Sequence, residues 1–192
     1  MPNTAITIDI SEVPPNKLND PDFINLRTQI ELVLADPQWL QAFSVHETGH
    51  WIYLQRVGVT DFLFFGPRIT YDPTTNQFDG YPASLQPQVG NVDPDNFDFV
   101  KWIFDLTKGF AAGGVFSREL TAAPDSGDEE DRQNFEAICN VILQQMPGMS
   151  LNSDALWVEA QEAVKQELRS PAFRKVAWKK AAELREKIFG HR

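Results

Sequence analysis

The sequence is poor in the two residue types that most often bind zinc: it has one cysteine, Cys139, and three histidines in 192 residues. A lone cysteine excludes an intrachain disulfide and a cysteine-rich zinc site, and it favours a reducing compartment. The sequence also has no run of about 18 uncharged apolar residues, and its N-terminal stretch lacks the basic and apolar regions of a secretory signal. We therefore expect a cytoplasmic protein without an integral membrane segment.

Positive charge is scarce as well. The chain has 17 lysines and arginines against 27 aspartates and glutamates, which gives a formal net charge of -10. Nucleic acids and anionic membranes bind clustered basic residues, whereas these are dispersed here or confined to the last predicted helix. Because 42% of the residues are apolar, we expect a folded protein with a packed core. Because its basic residues are not clustered on one surface, we expect it to bind no nucleic acid.

The hydrophobic pattern predicts a mainly α-helical α+β fold in which residues 1–192 form one domain. Residues 1–21 predict an extended N-terminal arm or a short strand. Segments rich in aromatic and β-branched residues predict a small β region at 59–87, with two or three strands and one hairpin. Residues 98–189 form the helical part. The predicted helices are 22–34, 37–58, 98–120, 128–146, 154–169 and 171–189.

The segment "HETGH", residues 46–50, contains two of the three histidines. Residues four apart on an α-helix point the same way, so His46 and His50 can reach one metal ion while Glu47 lies beside it to hold a water. The apolar stripe of this helix passes through the same positions, which puts all three polar groups on its inward face. A zinc site is the leading interpretation, and a hydrogen-bonded structural pair of histidines is the alternative.

A third protein ligand is required, and elimination narrows the choice. The chain has Tyr53 and Arg56 where a metzincin would carry glycine and histidine, which excludes that class. No glutamate occurs between Glu47 and Glu119. The third ligand is therefore expected to be an aspartate or Glu119.

Asp131 is the leading candidate among the aspartates. The apolar stripe of the predicted helix 128–146 extends backward to Asp131, which should face the core in the first turn. In the competing interpretation Asp128 is the helix N-cap, and Asp131 only complements the helix dipole. Asp128 and Glu119 are the alternative third ligands.

Small residues predict a close contact between two helices of the site. Gly49 lies inside "HETGH", and glycine in the middle of a helix costs about 1 kcal/mol relative to alanine, so it is usually kept where another backbone comes close. The segment "FAAGG", residues 110–114, offers small residues on a second helix. We expect these two segments to pack against each other.

Three segments resemble the peptidase domain of FtsH-type proteins, the membrane-anchored AAA zinc metalloproteases. "HETGHW" resembles their H-E-A-G-H-A helix, "GGVFSREL" at 113–120 resembles G-G-R-x-A-E-E-L, and "SGDEEDRQNF" at 126–135 resembles T-G-A-S-N-D-L-x-x-A. The segments follow the family's order and precede a helical tail. The resemblance therefore spans residue 36 to the C-terminus.

The resemblance implies a zincin-like helix and a C-terminal helical bundle. Carried over by position, it implies zinc ligands at His46, His50 and Asp131 and a general base at Glu47. It further implies a zinc metalloendopeptidase that hydrolyses peptide bonds in unfolded or extended polypeptides.

The chain also departs from the family. Arg118 replaces the first glutamate of the family's pair, Trp51 replaces a small residue, and the loop at 120–126 looks short. These changes predict altered substrate access or lost activity. The P-loop pattern G-x-x-x-x-G-K-[ST] is missing, so we expect an ATP-independent, stand-alone domain whose candidate partners are a separate ATPase and further copies of the chain.

Other functional interpretations compete with the peptidase. One is a catalytically inactive module that retains the fold and binds a metal or another protein, and another is a purely structural helical domain. For the peptidase, "RITYD" at 68–72 is a candidate edge strand to which an extended substrate could add. The alternative for that segment is an ordinary hairpin strand.

Overall fold

The structure is a computed structural model that describes residues 6–89, 98–121, 128–146 and 148–190. Its helices are α1 (Pro21–Leu34), α2 (Pro37–Leu54), α3 (Phe99–Leu120), α4 (Asp128–Gln145), α5 (Ser153–Leu168) and α6 (Pro171–Phe189). Its strands are β1 (Asp9–Glu12), β2 (Val59–Phe65), β3 (Arg68–Asp72), β4 (Gln77–Tyr81) and β5 (Ser84–Val89). This is a mainly helical α+β fold, as predicted, and the predicted helices begin and end close to the observed ones.

The helix that carries "HETGH" forms for local reasons. The Asp36 side chain accepts a hydrogen bond from the Gln38 backbone N–H at 2.8 Å, and Pro37 takes the first helical position, where its missing N–H costs nothing. At its other end α2 passes into a short 3₁₀ turn and stops at Gly58. The φ angle of Gly58 is 88°, a left-handed conformation that glycine adopts without a steric penalty.

The β region differs from the prediction in strand number and pairing. Residues 59–89 contain four strands instead of two or three, because β2 and β5 form a separate antiparallel pair around the predicted hairpin of β3 and β4. The segment "RITYD" is β3; its interpretation as an edge strand is wrong, and the alternative of an ordinary hairpin strand, paired with β4, is confirmed. It lies between β4 and β1, which pairs with it in parallel, so its neighbours already occupy both sides.

The two small sheets cover opposite ends of α2. Ile69 of the three-stranded sheet is buried in a cluster with Phe23 and Leu40, which come from α1 and the beginning of α2. Phe62 of the two-stranded sheet is buried in a cluster with Trp51, near the end of α2, and with residues of α6. The middle of α2, which carries the two histidines, is left to contact other helices.

The most extensive contacts of α2 are with α3, followed by those with α6. Val45 and Tyr53 of α2 are buried in one cluster with Val115 and Phe116 of α3. Farther along the chain, α4 buries Phe135 against α3 and α5. Because other elements cover α2 on several sides, His46, Thr48 and His50 lie in the interior, while Glu47 is partly buried.

None of the helices in the described ranges combines the length and the apolar character that crossing a lipid bilayer requires. Most of the predicted short loop at 120–126 lies outside the described residues, as do the first five residues of the N-terminal arm.

Candidate metal centre

His46 and His50 face each other on α2, one helical turn apart. Their Nε2 atoms lie 3.0 Å apart, and the two rings meet edge to face with their centroids 4.8 Å apart. Both residues are buried, with relative exposures of 7% and 8%. The structure therefore places both imidazoles inward, as the apolar stripe predicted.

Asp131, in the first turn of α4, completes a three-residue group with these histidines. Its Oδ2 atom lies 3.2 Å from His46 Nε2 and 3.2 Å from His50 Nε2. Ligands held about 2.0–2.1 Å from a zinc ion at tetrahedral angles are about 3.3 Å apart, close to these separations. The group could therefore hold a metal ion.

One histidine of the group is oriented by a main-chain carbonyl. The His50 Nδ1–H donates to the carbonyl oxygen of Gly109 at 2.7 Å, so in the neutral ring the lone pair is on Nε2, toward His46 and Asp131. Metal-ligating histidines usually donate their second nitrogen in this way. The arrangement of His50 therefore suits a metal ligand.

Two polar atoms of the group have no hydrogen-bond partner within the described residues. They are His46 Nδ1 and Asp131 Oδ2, and both are buried. Asp131 Oδ2 is close to both imidazoles but forms no well-directed hydrogen bond with either of them. Ionisation of this buried carboxylate depends on positive charge beside it, and a bound cation would supply that charge.

The groups of the site shift the pKa values of one another. Burial opposes charge on His50, but the proximity and charge of Asp131 outweigh burial and raise the pKa of His50 to about 9. Burial also opposes charge on Asp131, but the two histidines outweigh it and lower the pKa of that carboxyl to about 2. Asp131 is therefore ionised at neutral pH, as a metal ligand must be, whereas His50 is protonated without a metal and would release its Nε2 proton on binding one.

Glu47 follows His46 on α2 and is partly buried. Burial raises the pKa of the Glu47 carboxyl, while the two histidines act in the opposite direction with a smaller effect. The charges of His46, His50 and Asp131 all act on this carboxyl. The Glu47 carboxylate is not among the ligand atoms that converge in this group.

Small residues on α3 bring the site helices together, as predicted. A methyl group at Gly49 would lie 2.5 Å from the carbonyl oxygen of Ala112, so the two helix backbones touch there. A methyl group at Gly113 would lie 2.5 Å from His50 Nε2. Gly113 therefore forms the surface of α3 against which the imidazoles pack. Its sequence signal was the double glycine of "FAAGG", but nothing in that pattern indicated contact with the histidines.

The alternative third ligands lie elsewhere. Asp128 forms an ion pair with Arg118, and Glu119 is exposed at the end of α3.

The orienting carbonyl of Gly109 is a main-chain group, which no side-chain pattern could have indicated. Trp51 packs against Phe64 of β2, with ring centroids 5.5 Å apart.

The sequence matches no protein-family model, no curated protein and no solved structure. The relation to FtsH-type peptidases, which rests on three short motifs, therefore stays a prediction.

Proposed function

We propose that this protein is a zinc-dependent metallopeptidase in which His46, His50 and Asp131 hold the metal and Glu47 is the general base. The observation that carries the proposal is the convergence of two imidazole nitrogens and one carboxylate oxygen at tetrahedral ligand spacing. Two histidines and one carboxylate form the donor set of many catalytic zinc sites, which keep a fourth position open. A zincin-like relation to FtsH-type peptidase domains is part of the same proposal.

A metal bound here would supply Lewis acidity, polarising a peptide carbonyl and lowering the pKa of a water toward neutrality. Glu47 would take the proton from the attacking water and return it to the leaving amine. A general base works best when its pKa lies near the working pH, and burial moves the pKa of Glu47 upward in that direction. His50, fixed by the Gly109 carbonyl, would keep its Nε2 lone pair on the site.

The proposed substrate is an unfolded or extended polypeptide. Both histidines are less than a tenth exposed, so the surface of a folded protein could not bring a peptide bond to their Nε2 atoms. A single extended strand exposes its peptide bonds without the bulk of a folded surface, and we infer that it is the form of polypeptide that reaches the site. Hydrolysis by a water needs no nucleotide, in keeping with a sequence that lacks a P-loop.

Elemental analysis and a casein assay together test the proposal. Purified wild-type protein is expected to contain about one zinc per chain and to cleave casein, and Asp131→Ala should lose most of the zinc. Glu47→Gln should retain zinc and lose activity by a factor of about 10² or more, because it removes only the base.

Other results would favour the competing interpretations. A wild-type protein that binds zinc but leaves casein intact, with Glu47→Gln indistinguishable from it, would indicate a metal-binding or interaction module. A wild-type protein that takes up no zinc, even after incubation with the ion, would contradict the metal site and leave a structural role for the histidines.

A further inference from the structure

An ion pair joins the end of α3 to the beginning of α4. Arg118 Nη1 donates to Asp128 Oδ2, and the two side chains are only 27% and 23% exposed. Asp128 is the first residue of α4, and Asp131 lies three residues later in the same turn. Residues three apart on a helix lie on neighbouring positions of one face, so a contact that holds Asp128 also constrains where Asp131 points.

The Arg118 guanidinium is also held from a second direction. With its amide oriented to satisfy its neighbours, the Gln161 oxygen accepts hydrogen bonds from Arg118 Nη2 and from Trp157 Nε1, both at 3.2 Å. Trp157 is buried in the core between α3, α4 and α5. Because a guanidinium is planar and rigid, these contacts fix the direction in which it meets Asp128.

Gly114 makes room for the same carboxylate. It lies one turn before Arg118 on α3, and therefore on the same face of that helix. A methyl group at Gly114 would overlap with Asp128 Oδ1. The neighbouring Gly113 accommodates the histidine rings in a similar way. Thus α3 contacts both parts of the site, the histidines from α2 and the first turn of α4.

We propose that Arg118 is a positioning residue for the metal site: by holding Asp128, it sets the first turn of α4 so that Asp131 meets His46 and His50. Asp131 reaches His46 and His50 from the first turn of α4, so its position depends on how that turn is set. The inference rests on the metal site of the proposed function but requires no catalysis. It assigns a role to the arginine that stands where the resembled family has a glutamate.

Zinc affinity of Arg118→Gln, compared with that of Arg132→Gln, tests this role. Arg132 is the matched control because it also lies in the first turns of α4 and forms ion pairs, but with Glu136 and Asp154 instead of Asp128. Competition with a chromophoric chelator should show zinc binding about 10- to 100-fold weaker in Arg118→Gln, the usual effect of losing a residue that orients a ligand. Arg132→Gln should stay close to wild type.

Two further variants separate positioning from general damage. Arg118→Lys should recover part of the affinity, because the ammonium keeps the charge but not the fork of donors. Asp128→Asn should reproduce the loss, and the double variant with Arg118→Gln should lose no more than either single variant, because both act through one contact. The visible absorption of cobalt-substituted Arg118→Gln should also change, because the ligand geometry at the metal changes.

Hydrogen exchange of the metal-free proteins provides a second readout. Arg118→Gln should speed amide exchange at 132–136, the first amides of α4 that can bond to carbonyls of their own helix, while the amides of α2 keep their protection. Wild-type zinc affinity in Arg118→Gln, or an equal loss in Arg132→Gln, would overturn the inference. A protein that binds zinc and cleaves nothing would contradict the proposed function alone. A wild-type protein that binds no zinc would overturn both.

Discussion

At the scale of single residues, Gly113 controls how closely His46 and His50 can approach Asp131. A methyl group there would lie 2.5 Å from His50 Nε2 and 2.6 Å from His46 Nε2, well inside van der Waals contact. Both imidazoles would have to move away from α3. Such a movement would separate their nitrogens from Asp131, which approaches from a different helix.

We therefore expect Gly113→Ala to weaken zinc binding at least 10-fold, the lower end of the effect of disturbing residues that orient metal ligands. The free energy of unfolding should change much less than the free energy of zinc binding, because alanine favours the helix by about 1 kcal/mol and so offsets part of the crowding. Zinc competition and urea unfolding measure the two effects. Unchanged zinc affinity would show that the imidazoles are not held against α3.

Asp105 is a buried charge on the same helix. It pairs with Lys108, one turn later, at 2.5 Å and with Lys101, one turn earlier, at 2.6 Å. Burial opposes its ionisation, but the two lysines outweigh burial and hold the pKa of the Asp105 carboxyl below its usual range. The ionised form therefore stabilises the folded state at a pH above the unfolded pKa. That contribution disappears as the pH falls through the lower folded pKa.

Asp105→Asn is accordingly expected to lower the free energy of unfolding at pH 7 by about 3 kcal/mol, because it leaves Lys108 buried without its partner. The difference from wild type should stay constant at neutral pH and shrink below about pH 4, where Asp105 of the unfolded chain becomes protonated while the folded carboxyl, with its lower pKa, is still ionised. Urea unfolding at a series of pH values tests this. A difference that persists undiminished at pH 3 would contradict it.

At the scale of elements, the contact of α2 with α3 organises the site. The two backbones touch at Gly49, where a methyl group would lie 2.5 Å from the Ala112 oxygen and 2.6 Å from its carbonyl carbon. Backbone atoms cannot swing aside as a side chain can. Any larger residue must therefore push the two helices apart.

Gly49→Ala should destabilise the fold by about 2–3 kcal/mol, the usual cost of overpacking a close contact, despite the better helix propensity of alanine. Zinc affinity should fall as well, because His50 and its Gly109 partner lie on the two helices that separate. The contrast with Gly113→Ala, where affinity falls with little loss of stability, distinguishes helix packing from ligand crowding. A Gly49→Ala protein as stable as wild type would contradict this prediction, because it would mean that α2 and α3 can move apart without losing stability.

At the scale of the whole molecule, the proposed metal site joins helices that are far apart along the chain. His46 and His50 belong to α2 and Asp131 to α4, and α3 lies against both elements. A ligand that binds the folded state and not the unfolded one stabilises the fold according to its concentration relative to its Kd.

Zinc at 100 times its Kd should therefore stabilise the protein by about 2.7 kcal/mol. For a chain of this size the melting temperature should rise by about 5–10 °C, and a chelator should reverse the rise. The melting curve of His46→Ala should not respond to zinc. A similar rise in that variant would place the bound metal elsewhere.

Local chemistry made much of the helical framework predictable from the sequence. Asp36 and Pro37 mark the start of α2, and Gly58 marks the end of the 3₁₀ turn that follows it. These signals can be identified from the sequence because helix capping and a left-handed backbone conformation depend on adjacent residues only. The four-residue spacing of His46 and His50 determined that they share a face, since a helix imposes that geometry on any sequence. These features require no information about distant parts of the chain.

Pairing between distant segments was not predictable in the same way. Its aromatic and β-branched residues identified β3 as a strand but could not reveal that β1 of the N-terminal arm lies on one side of it, because composition does not specify a strand's neighbours. The separate pair of β2 and β5 escaped prediction for the same reason.

For the site, the sequence alone determined which residues have the right chemistry: His46, His50 and Glu47 on one helix, and an acidic first turn on α4. The apolar stripe favoured Asp131 but left Asp128 and Glu119 open, and only the tertiary structure decided which acidic group meets the histidines. Asp131 lies within 3.2 Å of both, while Asp128 in the same turn is held by Arg118. The physical reason is that this choice depends on how α4 is set against α3, through contacts between segments that the pattern of each segment does not encode.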